Sequence, residues 1–321
     1  VTTTWRGDAS LAATAGALLG RAHTVTAMTT VTPEGFATAS IGAADDADFE
    51  IGSVSKALTG MLYREAIGLG RVTPSTTLGS LLPLADHGAV ERVTLESLAT
   101  HRSGLPRLPP AMKVWRRTWR LYTKGENPYG DTLAELLEQV RGITIGPPRA
   151  VYSNLGFQLL GHAVAAASGV RYGELLQSRF GDAFYAPATV DELRPGALIG
   201  ASRRGAARAP WTGEGIAPAG GIRATIGTMQ GLLQRILAGT APGMSALDPD
   251  TEFSNGVRIG AGWITLGRGA QSITWHNGGT GGFRSWVGVD RAAEVGAVVL
   301  TARDASVDRA GFRLVQKLSG R

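Results

Sequence analysis

Ser53 and Lys56, in the stretch "FEIGSVSKALTG" (49–60), set a hydroxyl and an amine three positions apart. The chain has four lysines, and three positions before Lys113, Lys124 and Lys317 stand Pro110, Leu121 and Leu314. Ser-x-x-Lys therefore occurs once, and it opens a run that reads as helix. Residues three apart on a helix share a face. Ser53 then sits near an N-terminus, where free N–H groups and the dipole favour a developing negative charge. A serine hydroxyl becomes a useful nucleophile when a base takes its proton. Lysine is that base only when neutral, and its ordinary pKa of ~10.4 leaves well under ~1% neutral at pH 7. Burial or a nearby positive group must bring that pKa down by about 2–3, a differential cost of about 3–4 kcal/mol. The pair therefore calls for a third polar group close by. Taken alone, it reads equally as an N-capping serine beside a surface lysine.

Two further stretches supply polar groups. "AVYSNLGFQLLGHAV" (150–164) puts Tyr152 and Asn154 just ahead of an amphipathic helix carrying Leu155, Leu159, Leu160, Ala163 and Val164. "WHNGGTGGFRSWVG" (275–288) puts His276, Asn277 and Gly278 on a strand that runs into a glycine-rich turn. Singly, Tyr152 reads as a core anchor, Asn154 as a helix cap and "GGTGG" as a tight connection. In this order, Ser-x-x-Lys, Tyr-x-Asn and His-x-Gly resemble the penicillin-recognising serine hydrolases. The nearest likeness is to class C β-lactamases, with the related DD-peptidases and β-lactamase-fold esterases. "LESLATHRSGLPRLP" (95–109), "NPYGDT" (127–132) and "APAGGIRATIGTMQGLL" (217–233) are similar to further family segments. The resemblance covers most of residues 49–300, in family order.

That resemblance implies a role for each residue. Ser53 matches the acylated nucleophile and Lys56 its proton acceptor. Tyr152 matches the tyrosine that exchanges protons with Ser53, the leaving group and the deacylating water. Asn154 matches the side chain that holds the acyl amide. His276, Asn277 and Gly278 line the site, and the backbone N–H groups of Ser53 and Gly279 form the oxyanion hole. Each such donor is worth roughly 3 kcal/mol in a transition state, and positioned proton transfer about 10²–10⁴ in rate.

The chain also departs from the family. Class C enzymes carry lysine where His276 stands and a hydroxyl residue where Asn277 stands. Histidine, with an ordinary pKa of ~6.5, offers a part-time charge at neutral pH. Arg284, just past the glycine turn, is a candidate for the missing positive charge. Neither the deacylating glutamate of class A enzymes nor their Ser-Asp-Asn motif is legible, so a tyrosine-assisted double displacement is expected. His101 and His162 are expected to be structural. His23, His87, His101, His162 and His276 show no metal spacing, so no metal and no cofactor is implied.

The elements that must position these residues follow from periodicity. Residues 8–20 read as a helix, 23–43 as a hairpin turning at "TPEG", and 53–70 as a helix with an apolar stripe. "VRIGAGWITLG", "SITWHNGG", "FRSWVGVD" and "EVGAVVLTA" read as four strands, with "SVDRAGFRLVQKL" as a closing helix. Strands from early and late in the chain suggest one antiparallel sheet flanked by helices, an α/β (α+β) fold of the β-lactamase/DD-peptidase type. A single domain is expected, with an α/β lobe at about 1–70 and 215–321 and a mostly helical lobe at about 71–214.

Composition excludes several alternatives. The apolar fraction of 43% and charged fraction of 18% are those of a globular chain. No apolar run approaches the roughly 20 residues of a membrane-spanning helix. The net charge of +6 raises nucleic acid as a partner. The arginines are spread along the chain, however, and "WRRTWR" (115–120) reads best as a solvated helix face, so no nucleic-acid partner is expected. The absence of cysteine excludes disulfides and a thiol nucleophile. Extracytoplasmic placement is the expectation carried by the resemblance, with any signal peptide absent from this sequence. The expected activity is hydrolysis of a small-molecule acyl substrate through a Ser53 acyl-enzyme, with β-lactam amides first. A carboxylesterase, a D-alanyl-D-alanine carboxypeptidase and a penicillin-binding sensor without turnover are the alternatives.

Overall fold

The computed structural model describes residues 4–109, 119–121 and 123–321. Threonine-, valine- and isoleucine-rich runs favour extended chain. They supply most of the strands: β1 (Arg6–Gly7), β2 (Thr26–Thr32), β3 (Gly35–Ile41), β4 (Asp48–Glu50), β5 (Arg223–Thr225), β6 (Thr251–Ser254), β7 (Val257–Ile259), β8 (Ile264–Leu266), β9 (Ile273–Gly279), β10 (Arg284–Asp290) and β11 (Val295–Thr301). Nine of these form one sheet in the order β1-β3-β2-β11-β10-β9-β8-β7-β6, and β4 pairs with β5. All pairs are antiparallel, and β2 joins β11 with Thr29 opposite Val298. One sheet is thus built from early and late segments, as the sequence predicts.

The helices are α1 (Ala9–Leu18), α2 (Ser55–Gly68), α3 (Leu95–Ala99), α4 (Leu133–Gln139), α5 (Asn154–Ala167), α6 (Tyr172–Phe180), α7 (Ala217–Gly220), α8 (Ile226–Leu237) and α9 (Asp308–Leu318). Every residue of β11 is buried, because helices cover both faces of the sheet. α8 packs on β2 and β11 from one side, and α9 packs on β10 and β11 from the other. On the α9 side, Trp286 is fully buried and meets Phe312 edge-on, ring centroids 5.1 Å apart.

Two expectations need correction. "VRIGAGWITLG" is not one strand: β7 and β8 are separate antiparallel partners, split at 260–263, and β6 adds a further strand beside them. Gly262 adopts a φ of +74° there, which turns the chain. The run after Ser53 is also not a one-sided amphipathic helix. Residues 52–54 form a 3₁₀ turn, and α2 is buried on nearly all sides from Ser55 to Tyr63. It packs against α5 and α7 at once, so apolar periodicity alone understates its burial. Most of the "WRRTWR" stretch lies outside the described residues. At its end Arg120 pairs with Glu126 at 2.5 Å.

Below α2, the small β4–β5 sheet holds a buried charge cluster. The Arg223 guanidinium donates from Nε to Asp48 Oδ1 at 2.6 Å and from Nη1 to Glu50 Oε1 at 3.2 Å. Nη2 donates to the Leu198 carbonyl at 2.9 Å, and Tyr185 donates to Asp48 Oδ2 at 2.5 Å. Removing one member of such a cluster strands charges away from water. Arg223→Ala is expected to destabilise the fold by about 3–5 kcal/mol, read as a lower urea midpoint. An unchanged midpoint would show that the cluster is not structural.

Candidate active site

Ser53 is placed by a turn, not by the helix that follows it. Ile51 pairs with the small sheet through its N–H to the Ile222 carbonyl at 3.0 Å, and Ser285 Oγ donates to the Ile51 carbonyl at 2.7 Å. Gly52 adopts a φ of +50°, and a Cβ there would stand 2.6 Å from the backbone nitrogen of Gly279. A Cβ on Gly278 would stand 2.1 Å from the Ile51 carbonyl oxygen. Only glycine fits at both places. The turn and β9 therefore touch backbone to backbone, with the backbone nitrogens of Ser53 and Gly279 both at that contact.

Lys56, one helical turn on, is fully buried. Its Nζ lies 3.1 Å from Ser53 Oγ and donates to the Ala219 carbonyl at 2.5 Å. No carboxylate pairs with it among the described residues. Burial pushes its pKa well below the usual lysine value, and the positive charge of Arg107 pushes in the same direction. Desolvation is the larger of the two effects, in the direction the sequence calls for. Tyr152 lies against the amine, with Nζ 5.0 Å from the ring centroid. Burial raises the phenol to about 12, against the lowering effects of a hydrogen bond with Ser53 and of Arg107. An amine pushed toward its uncharged form and a phenol that holds its proton flank one hydroxyl, a pairing suited to taking one proton and giving up another.

Asn154 is the first residue of α5; its neighbour Ser153 is the cap, accepting from the Gly156 N–H. That frees the Asn154 amide for the cleft. Its Nδ2 donates to the Tyr129 hydroxyl at 3.3 Å, and its Oδ1 is buried without a partner among the described residues. A cavity of about 410 Å³ opens here, with Ser53, Tyr152, Asn154, Asn277, Gly278, Gly279 and Arg284 on its walls.

His276 behaves differently from the expectation. It is 1% exposed, its Nδ1 lies 2.6 Å from the Asn277 carbonyl, and it is absent from the cavity wall. Burial first, then the charge of Lys56, depress its pKa to about 3. It is neutral at every physiological pH and supplies no part-time charge. Asn277 points away from it and donates to Asp308 at 3.1 Å. Arg284 does reach the cleft, but its guanidinium is paired with Asp304.

His101 and His162 are both buried among protein contacts. His101 accepts at Nδ1 from the Ser153 N–H at 3.1 Å and stacks 4.6 Å from the Tyr152 ring, which fixes the segment carrying Tyr152. His162 is buried with Nε2 3.1 Å from the Glu214 carbonyl, and burial lowers it to about 4. A second depression of about 530 Å³ lies beside His162, Tyr172 and Glu214 and includes none of Ser53, Lys56 or Tyr152. No cluster able to hold a metal ion occurs among the described residues, and no helix there is long and apolar enough to cross a membrane.

Sequence reasoning misses Arg107, Tyr129, Trp211, Ser285 and Asp308. The first three and the last line the cleft, and Ser285 holds the Ser53 turn. Tyr129 lies inside the quoted "NPYGDT" and Arg107 directly after "SGLP", so their segments were visible but their roles were not.

A family model described as Beta-lactamase matches residues 14–319. The chain belongs to the beta-lactamase family. It is a serine hydrolase of the β-lactamase or DD-peptidase type. Among curated relatives it is similar to the D-alanyl-D-alanine-carboxypeptidase/endopeptidase AmpH of Escherichia coli (strain K12). They are 26% identical over 286 residues, 80% of this chain and 71% of the relative. A class C β-lactamase from Rhodobacter sphaeroides has the same fold, with a TM-score of 0.78 at 18% identity, covering 97% of this chain and 99% of that one. A β-lactamase from Sulfitobacter sp. EE-36 gives 0.76 at 18% identity, covering 96% and 94%.

The two flanking groups set a pH dependence. Ser53 acylation should fall as pH drops through the depressed pKa of Lys56, since protonation removes the base. It should stay flat on the alkaline side, because Tyr152 keeps its proton to about 12. A pH profile of acylation by a p-nitrophenyl ester tests this; a rise that tracks an ordinary lysine would contradict it.

Proposed function

We propose that the protein hydrolyses β-lactam amides or D-alanyl peptides through an acyl-enzyme on Ser53. The carrying observation is a fully buried Lys56 amine 3.1 Å from Ser53 Oγ with no carboxylate partner among the described residues. Ser53 Oγ attacks the substrate carbonyl while its proton passes to Lys56 Nζ. The developing oxyanion accepts from the N–H groups of Ser53 and Gly279, donors that do not have to reorganise. The C–N bond then breaks, and the Tyr152 phenol gives its proton to the departing nitrogen and is reprotonated through Lys56. Water, with its proton drawn off by the same pair, cleaves the acyl ester and regenerates Ser53. Asn154 holds the acyl amide: its Oδ1, without a partner among the described residues, is a polar atom that a substrate N–H would satisfy. Extracytoplasmic placement belongs to the same proposal, because D-alanyl peptides are wall components.

The relatives support both halves of this reading, one being named a β-lactamase and another a DD-carboxypeptidase/endopeptidase. A retained Tyr152 favours turnover over a trapped sensor. The test is intact-protein mass spectrometry over time with a chromogenic cephalosporin and a p-nitrophenyl ester. Wild type should gain and then lose the acyl mass, and Ser53→Ala should gain none. Absence of any adduct together with absence of turnover would sink the proposal. Tyr152→Phe should fold normally and lower kcat by about 10²–10⁴-fold; equal rates would remove Tyr152 from proton transfer.

A further inference from the structure

The cleft is charged unevenly. Its strand-side wall carries Asp308, half-buried at the start of α9. The Asp308 carboxylate accepts from Asn277 Nδ2 at 3.1 Å and from Ser306 Oγ at 3.1 Å. No cation pairs with it among the described residues. Arg284 stands on the same side, but Asp304 neutralises it and its Nη1 donates to the Thr280 carbonyl at 3.4 Å. His276 lies buried behind the wall without charge. What remains unbalanced on this side is negative.

The facing wall is the reverse. Arg107 is exposed, lines the cleft and has no carboxylate partner among the described residues. Its Cζ lies 5.6 Å from the Tyr152 ring centroid, within reach of a cation–π contact. Its backbone carbonyl accepts from the N–H groups of Asn154 and Leu155, at 3.0 and 3.2 Å, so its main chain is tied to the first turn of α5. In the mechanism above, the Tyr152 hydroxyl faces the departing nitrogen. A guanidinium stacked on that ring therefore faces the leaving-group half of the substrate. A carboxylate there is repelled from Asp308 and drawn to Arg107, whose planar fork matches it in a two-point hydrogen bond.

We propose that Arg107 recognises a carboxylate on the leaving-group half of the substrate, so that anion recognition sits on the wall opposite His276 and Arg284. The substrates are then amides whose released amine carries a carboxylate: an amino acid, or the ring acid of a β-lactam. This assignment rests on the acyl-enzyme reading. It also explains how the chain dispenses with a strand cation.

The test compares a cephalosporin bearing its free carboxylate with the methyl ester of the same compound. Arg107→Ala should lower the ratio of kcat/KM for acid over ester by about 10–100-fold, chiefly through KM, with Arg107→Lys retaining part of the preference. Asp308→Asn should raise the same ratio. Because a ratio is read, any general effect of Arg107 on the Lys56 base cancels. An unchanged ratio in Arg107→Ala overturns the inference, as does a larger fall in Arg284→Ala. Calorimetric binding of the acid and the ester to Ser53→Ala, with and without Arg107→Ala, reads recognition apart from chemistry. If wild type forms no adduct yet the acid binds Ser53→Ala through Arg107, the acyl-enzyme reading fails and the recognition stands.

Discussion

The turn at Ile51–Ser53 lies so close to β9 that neither backbone has room for a side chain at the point of contact. Gly52 and Gly278 are the two halves of that constraint, and Ser285 pins it with a hydrogen bond to the Ile51 carbonyl. From it follow the aim of the Ser53 hydroxyl, the approach of the Gly279 N–H and the start of α2. Lys56 is then delivered by helical geometry alone, one turn further along a buried axis. The chemistry depends on a backbone contact before it depends on any side chain.

Two basic groups lie at similar depth and are treated in opposite ways. Arg223 is fully buried, and Asp48, Glu50 and the Leu198 carbonyl surround it. Lys56 is fully buried with no counterion among the described residues, so burial pushes its pKa well down. Guanidinium cannot shed its proton in a protein and must be paired; an ammonium can. The contrast between arginine below and lysine above is thus one of pairing and not of burial. The imidazoles of His101 and His276 follow the lysine pattern, and the positive forms of both are disfavoured by burial and by Lys56.

Local patterns were legible because local geometry fixes them. Ser-x-x-Lys, Tyr-x-Asn and the strand "WHNGG" each need only a turn of helix or a few residues of extended chain, and the structure places Ser53, Tyr152, Asn154, Asn277, Gly278 and Gly279 around one cleft. The hairpin at "TPEG" and the terminal strands were legible for the same reason. The charge state of His276 was not, since it is decided by what covers the ring and not by its neighbours in sequence. Nor was the pairing of Arg284, because Asp304 reaches it only through the register of β10 on β11. Arg107 and Asp308 come from a loop and a helix start with no period to announce them. The break between β7 and β8 was hidden by an apolar run whose glycines, read from sequence, fit a strand as well as a turn.

The pairing of β2 with β11 sets the order in which the cleft can come into being. Ser53 is made early during synthesis, but the strand that carries Gly279 is made late. That strand is held in the sheet by β10, which pairs in turn with β11. Contacts of such long range are slow to form. Until they do, the backbone contact between the Ser53 turn and Gly278–Gly279 is missing. On the acyl-enzyme reading proposed above, a nascent chain therefore carries an inert serine, and reactivity waits on completion of the fold.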